Sequence, residues 1–219
     1  MSLLTTTRLA PLLDRLFNEA TYWPEDDSVL ALSENERQRL MRSKTEYREF
    51  YGQLKDRSLP VARDTAQWLY LLTRTSKART IVEFGTSFGV STLHLAAGLR
   101  DNGGGHLITT EFEPGKVLKA QANLKAAGLA DLVEIRQGDA LQTLSSDLPK
   151  SIDLVLLDGA KGLYLDVLLA LEYRLAPGAL VIADDADYCP EYLAHVRDPA
   201  SGYLSITLRD DVEVSMHLG

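Results

Sequence analysis

The sequence predicts a doubly wound α/β domain: a seven-stranded sheet, mostly parallel, with a C-terminal antiparallel hairpin and a set of N-terminal helices in front. Three observations carry this. From Thr80 onward, short apolar runs alternate with longer helical patterns, the mark of strand–helix–strand units. The run at 80–84 ends in Gly85, with Gly89 four residues later and then a pattern that reads as a buried helix. The last two strand-like runs are separated only by Arg209-Asp210, so they read as a hairpin.

In order along the chain, residues 1–57 are helical in pattern and rich in charge. Ser33 followed by Glu36 fits a helix-starting capping box. The stretch 34–57 carries seven Lys/Arg and five Asp/Glu, which suits a solvated helix face or a lid over a pocket. Pro60 is expected to open a helix running through Trp68 and Leu72. Strand 80–84 leads to helix 89–99, and Gly103-Gly104-Gly105 breaks the chain. Strand 106–111 leads to helix 114–127, which stops at Gly128. Strand 132–137 and a short helix near 140–146 follow. Strand 152–157 is almost wholly apolar, as a central parallel strand must be. Helix 162–175, strand 179–183, a short helix at 190–197 and strands 203–208 and 211–217 complete the set. Two parts are expected: a helical segment at 1–57, readable as a lid, and the α/β domain at 58–219.

Composition bounds the function. The 219 residues suffice for one α/β domain with a full core. A net charge of −8 argues against a duplex nucleic-acid partner, which usually needs a basic face. The single cysteine, Cys189, excludes an internal disulfide and suits a reducing cytoplasm. Neither a signal-peptide core nor a run of membrane-spanning length is seen.

In sheets of this kind, ligands sit beyond the carboxyl ends of the strands, where the strand order reverses. Gly85-x-x-x-Gly89 is not the glycine triplet that cradles a pyrophosphate. With Ser87 and Ser91 nearby, the looser turn better suits a zwitterionic amino-acid tail. Glu111 ends the second strand, where an acid can accept from both ribose hydroxyls. Gly138-Asp139-Ala140 ends the third, where a carboxylate or amide can meet an adenine edge. Each piece has a plain alternative: a simple turn, a solvated strand end, a helix cap at Asp139. Together, at three successive strand ends, they point to a nucleoside.

On these residues the chain resembles the class I S-adenosylmethionine-dependent methyltransferases, whose fold is Rossmann-like. Within them, 58–219 resembles the small cation-dependent O-methyltransferases, the catechol and caffeoyl-CoA group and its bacterial relatives. VEFGTSFGVST, TTEFEP, QGDA, LVLLDGAKGLY and PGALVIADDADY are similar to that family's five successive motifs. The resemblance implies that Glu83, Gly85, Ser87 and Ser91 line the methionine side, Glu111 the ribose, and Asp139 with Ala140 the adenine. Asp158 is expected to touch both cofactor and metal. A family-like homodimer is a further expectation of the resemblance.

Asp158 ends strand 152–157, and Asp184 with Asp185 ends strand 179–183. Paired strands lie about 4.8 Å apart, so pairing here would gather three carboxylates on the nucleoside's rim. A hard cation is the simplest compensation, Mg²⁺ or else Mn²⁺ or Ca²⁺. Such an ion would acidify and orient an acceptor hydroxyl. Lys161, three residues past Asp158, would lose its proton more readily beside it; in the family the lysine of this Asp-x-x-Lys motif is the general base. A helix cap at Asp158, an exposed lysine, and a solvated acidic loop of Asp184, Asp185 and Asp187 remain alternatives.

Two departures from the family stand out. Asp184-Asp185 replaces its common Asp-Asn, and Ser205 falls where catechol members carry a carboxylate. The short 190–205 stretch leaves little room to hold coenzyme A. His94 and His106 read as structural, His195 as a rim residue that could touch substrate, and His217 as exposed. Trp23, Tyr47 and Tyr51 could line an aromatic pocket if the N-terminal helices fold over the site; Cys189 lacks a partner for nucleophilic work. The function predicted is methyl transfer to a hydroxyl of a small, aromatic acceptor. The alternatives are a metal-independent methyltransferase, a non-catalytic S-adenosylmethionine-binding protein and a nicotinamide-dependent oxidoreductase, the last disfavoured by the missing triplet.

Overall fold

The computed structural model describes residues 2–21, 29, 31–209 and 211–219. Strands β1 (Thr80–Phe84), β2 (His106–Glu111), β3 (Val133–Gln137), β4 (Ile152–Leu157), β5 (Leu175–Ala183), β6 (Tyr203–Thr207) and β7 (Glu213–His217) form one sheet in the order β3-β2-β1-β4-β5-β7-β6. The first five are parallel, and β7 runs antiparallel between β5 and β6. The order reverses between β1 and β4. The turns after those two strands therefore face each other across the crevice where such sheets bind ligands.

The alternation of side chains along each strand sorts the core into two layers. Ile81, Leu107, Leu154 and Leu156 face one side, where α1 (Ala10–Ala20), α4 (Arg63–Thr75), α5 (Val90–Asp101) and α6 (Pro114–Ala127) pack. Val82, Ile108, Val155 and Leu157 face the other, against α8 (Tyr164–Glu172) and α9 (Pro190–Arg197), with the short α7 (Ala140–Thr143) at its edge. β4 is fully buried at Leu154, Val155, Leu156 and Leu157, which explains its unbroken apolar run. No helix among the described residues is long and apolar enough to cross a membrane.

The N-terminal segment does not behave as one piece. α1 buries Leu12, Leu13, Leu16 and Phe17 in the main core. By contrast α2 (Glu34–Met41) buries no residue, and α3 (Tyr47–Gln53) buries only Phe50, in a small cluster with Val29 and Leu54. Ser33 caps α2 by accepting from the Glu36 amide at 3.2 Å.

Several boundaries differ from the sequence expectation. α4 begins at Arg63, not Pro60, because the Leu59 amide is drawn to the Ser87 hydroxyl at 3.0 Å and the chain stays a loop until Ala62. α7 ends at Thr143. The helix expected over 162–175 is a 3-10 turn at Lys161–Leu163 followed by α8, and it stops at Glu172. β5 then starts at Leu175, pairing with Ile152, and a register shift carries Pro177-Gly178 past β4 without an amide being needed from the proline.

Candidate active site

The crevice is built first from the turn after β1. Gly85 has φ +101°, and a Cβ there would run into the Asp158 carbonyl. Only glycine lets the turns after β1 and β4 close together, and the Asp158 amide donates to the Phe84 carbonyl at 2.9 Å. Ser87, with φ +48°, directs its amide to Glu111 Oε2 at 2.9 Å, while the Glu113 amide donates to Oε1 at 3.0 Å. Glu111 is 8% exposed, and burial pushes its carboxyl above the ordinary range. The acid expected at the ribose thus also ties two turns together.

Glu83 and Ser91, expected on the methionine side, lie beneath the crevice instead. Glu83 is fully buried and accepts the hydroxyls of Ser91 and Thr92, both at 2.6 Å, which fastens the first turn of α5 to β1. Burial pushes its carboxyl up to about 7. The pairing leaves both side chains facing each other rather than the cleft.

Gly85, Ser87, Glu111, Asp139, Ala140 and Asp158 do line one cleft. Asp139 caps α7 through the Leu141 amide at 3.1 Å, and its other oxygen takes the Arg48 guanidinium. The alternative helix-cap reading of Asp139 is therefore realised together with its place in the wall. Tyr47, Arg48 and Tyr51 of α3 form the opposite wall. Trp23 lies outside the described residues.

The strand-end carboxylates meet. Because Leu157 pairs with Ala183, Asp158 and Asp184 emerge side by side, and the Asp184 amide donates to the Leu157 carbonyl at 3.0 Å. Asp185, with φ +51°, turns back toward them, and one oxygen from each of the three lies within 4.8 Å of the others. Lys161 is 5% exposed; its ammonium sits 3.1 Å from Asp158 Oδ1, 3.0 Å from Asp185 Oδ2 and 2.8 Å from the Tyr164 hydroxyl. Burial works against that charge, yet Tyr164, Asp158 and Asp185 outweigh it and hold the Lys161 pKa well above its ordinary value. Burial, reinforced by the neighbouring acids, raises both Asp158 and Asp184. Three carboxylates against one ammonium, all oxygen donors, are a donor set that suits a hard divalent cation.

A second cavity, about 680 Å³, opens on the far side of Asp158. Phe17, Met41, Phe50 and Leu54 give it apolar walls, and Lys161, Asp184 and Asp185 stand at one end. Tyr51, Leu59, Asp158 and Gly159 belong to both spaces. Against this geometry, residues 82–186 match the family described as "Methyltransferase domain".

The matched stretch runs from β1 to the turn after β5, the strands whose ends build the crevice.

Two curated relatives that the chain resembles are both catechol O-methyltransferases. The one from Niastella koreensis is 32% identical over 131 residues, 58% of this chain and 58% of that protein. The one from Mycobacterium tuberculosis is 34% identical over 130 residues, 58% of this chain and 57% of that protein. The chain thus spans under three fifths of the length of either. Among solved structures, an O-methyltransferase from Bacillus cereus in complex with SAH shares the fold at TM-score 0.68 and 21% identity, covering 87% of this chain and all of that one. TomG from Streptomyces achromogenes, in complex with SAM, does so at TM-score 0.66 and 22% identity, over 98% of this chain and 100% of that one.

Several side chains fall elsewhere than the motifs suggest. His195 pairs with Glu172 at 2.9 Å and rests against the Tyr203 ring, away from both cavities. Ser205 donates to Glu213 at 2.6 Å within the β6–β7 ladder and reaches neither cavity wall. His217 is half-buried, with its ring against Tyr203. Cys189 is buried, its thiol donating to the Lys161 carbonyl at 3.3 Å and pushed up to about 12 by burial. Two residues of the cleft escaped sequence reading. Arg48 sits among many charges of like appearance. Lys116, at the start of α6, looks like any surface lysine, yet it is 4% exposed and lines the cleft.

Proposed function

We propose that this protein transfers a methyl group from S-adenosylmethionine to a hydroxyl of a small aromatic acceptor, aided by a divalent cation held by Asp158, Asp184 and Asp185. The observation that carries the reading is the shared wall. A cleft with a nucleoside's set of strand-end groups and an apolar cavity of ligand size adjoin at Asp158, so that donor and acceptor would approach from opposite sides. S-adenosylmethionine supplies the electrophilic methyl, and a hard dication supplies the Lewis acidity that lowers a hydroxyl pKa.

The residues of the chain do the rest. Glu111 offers a preorganised carboxylate to ribose hydroxyls, and Asp139 with the Ala140 amide flanks the base. Phe17, Met41 and Phe50 exclude water around an aromatic body. Lys161 Nζ stands at the carboxylate cage, where it can exchange a proton with an acceptor hydroxyl. As it stands it holds its proton between Asp158 and Asp185, so to serve as base it must first give that proton up.

One observation favours a second reading. Lys161 already neutralises two of the three carboxylates, an arrangement that suits a metal-independent enzyme. The test is initial rates on a panel of phenols and catechols with S-adenosylmethionine, after EDTA treatment and again with Mg²⁺ restored. Turnover lost with EDTA and recovered with Mg²⁺ is the expected result. Turnover indifferent to EDTA supports the metal-independent reading, and S-adenosylhomocysteine binding without turnover on any acceptor leaves a non-catalytic binding protein.

A further inference from the structure

Among the described residues, Lys116 is the one lysine in the wall of the nucleoside cleft, and no role has yet been given to it. The residue is buried, with an exposure of 4%. No hydrogen bond and no ion pair within 4.0 Å meets its ammonium among the described residues. The acids that feel its charge are Glu111, Glu113 and Asp158. Glu111 spends its carboxylate on the amides of Ser87 and Glu113, and Asp158 spends one oxygen on Lys161.

Its position is fixed by the helix face it shares. Lys119 lies over the Phe88 ring at 4.1 Å, Asn123 donates to the Phe88 carbonyl at 3.0 Å, and Ala120 lies 3.5 Å from where a Gly89 Cβ would stand. That face of α6 therefore packs on the glycine turn. Lys116, one helical turn before Ala120 and on the same side, stands at the front of that turn, between the ends of β2 and β4.

A buried ammonium without a partner is costly, and a neutral hydroxyl offsets little of that cost; a charged acceptor offsets much more. S-adenosylmethionine and S-adenosylhomocysteine each carry a single anion, the α-carboxylate of the amino-acid tail. We propose that Lys116 binds this carboxylate and thereby sets the cleft's preference for a nucleoside that bears an amino-acid tail. The inference rests on the nucleoside-site reading above and names a contact within it that the family motifs do not supply.

The test is calorimetric titration of the wild-type protein and Lys116→Met with two ligands, S-adenosylhomocysteine and 5′-methylthioadenosine, which keeps adenosine and sulfur but lacks the tail. Methionine matches the length of the lysine stem without its charge, and a thermal melt of each protein without ligand checks folding. The expected result is S-adenosylhomocysteine affinity about tenfold or more weaker in Lys116→Met, the loss of one charge-assisted hydrogen bond, with 5′-methylthioadenosine affinity unchanged. Equal S-adenosylhomocysteine affinity in the two proteins overturns the proposal. So does a parallel loss for both ligands, which would mark Lys116 as a support of the cleft rather than a reader of the tail. A wild-type protein that binds neither ligand removes the nucleoside site itself, an outcome distinct from either.

Discussion

The strand-end rim and the helical cover of α2 and α3 face the same two cavities, yet they are held by different forces. The rim is set by backbone. The turns after β1, β4 and β5 are locked to neighbouring strands through the Gly85, Asp158 and Asp184 amides, and the strand ends beneath them are buried. The cover rests on a small cluster of Val29, Phe50 and Leu54, on Tyr47 and Tyr51 packed against the core of the sheet, and on ion pairs at the surface, among them Arg39 with Glu36 and Arg48 with Asp139. Exposed pairs of this kind contribute little. The rim is thus specified by strand register, while the cover is held by side-chain contacts. Under the proposed function, chemistry common to many acceptors would belong to the first and acceptor choice to the second.

Three changes would break or sharpen that contrast. The largest effect belongs to the rim: Asp158→Asn, which keeps shape and removes charge from the wall shared by both cavities, is expected to lower methyl-transfer turnover by about 10²-fold or more. Initial rates at saturating S-adenosylmethionine measure it, and a variant with wild-type rates would show that the shared wall is not where the reaction occurs.

The second lies beneath the rim. Glu83 has its carboxyl raised from 4.5 to about 7 by burial, so the folded state holds this proton more tightly than the unfolded one. Stability from this group is therefore fully present below pH 4.5 and declines as pH rises toward 7, by about 3 kcal/mol over the window. Glu83→Gln removes the ionisation. Urea unfolding at pH 5 and pH 8 should show wild type losing stability relative to the variant at the higher pH; parallel curves would count against a buried, high-pKa Glu83.

The smallest effect belongs to the cover. Arg48→Ala breaks an ion pair whose arginine is 57% exposed and whose aspartate is 13% exposed, and it is expected to shift the melting temperature by no more than about 2 °C. A drop of many degrees would mean that the cover is bound to the rim as firmly as the rim is to the sheet.

Local sequence pattern sufficed for the alternation of strands and helices from β1 to β5, the hairpin at the end, the glycine turn and the acids at the strand ends. These are readable because side-chain period and turn chemistry are local: apolar runs mark buried strands, and a strand's last residue is known once the strand is. Three aspartates could be placed at strand ends, but their meeting, and the capture of Lys161 between two of them, depended on β4 pairing with β5. Glu83 and Ser91 turned away from the cleft because two hydroxyls from α5 found that carboxylate under the sheet edge. Arg48, Tyr51 and Lys116 became cleft residues only through the docking of α3 and α6. Contacts between residues distant along the chain are decided by register and packing, and no local pattern in the sequence encodes either.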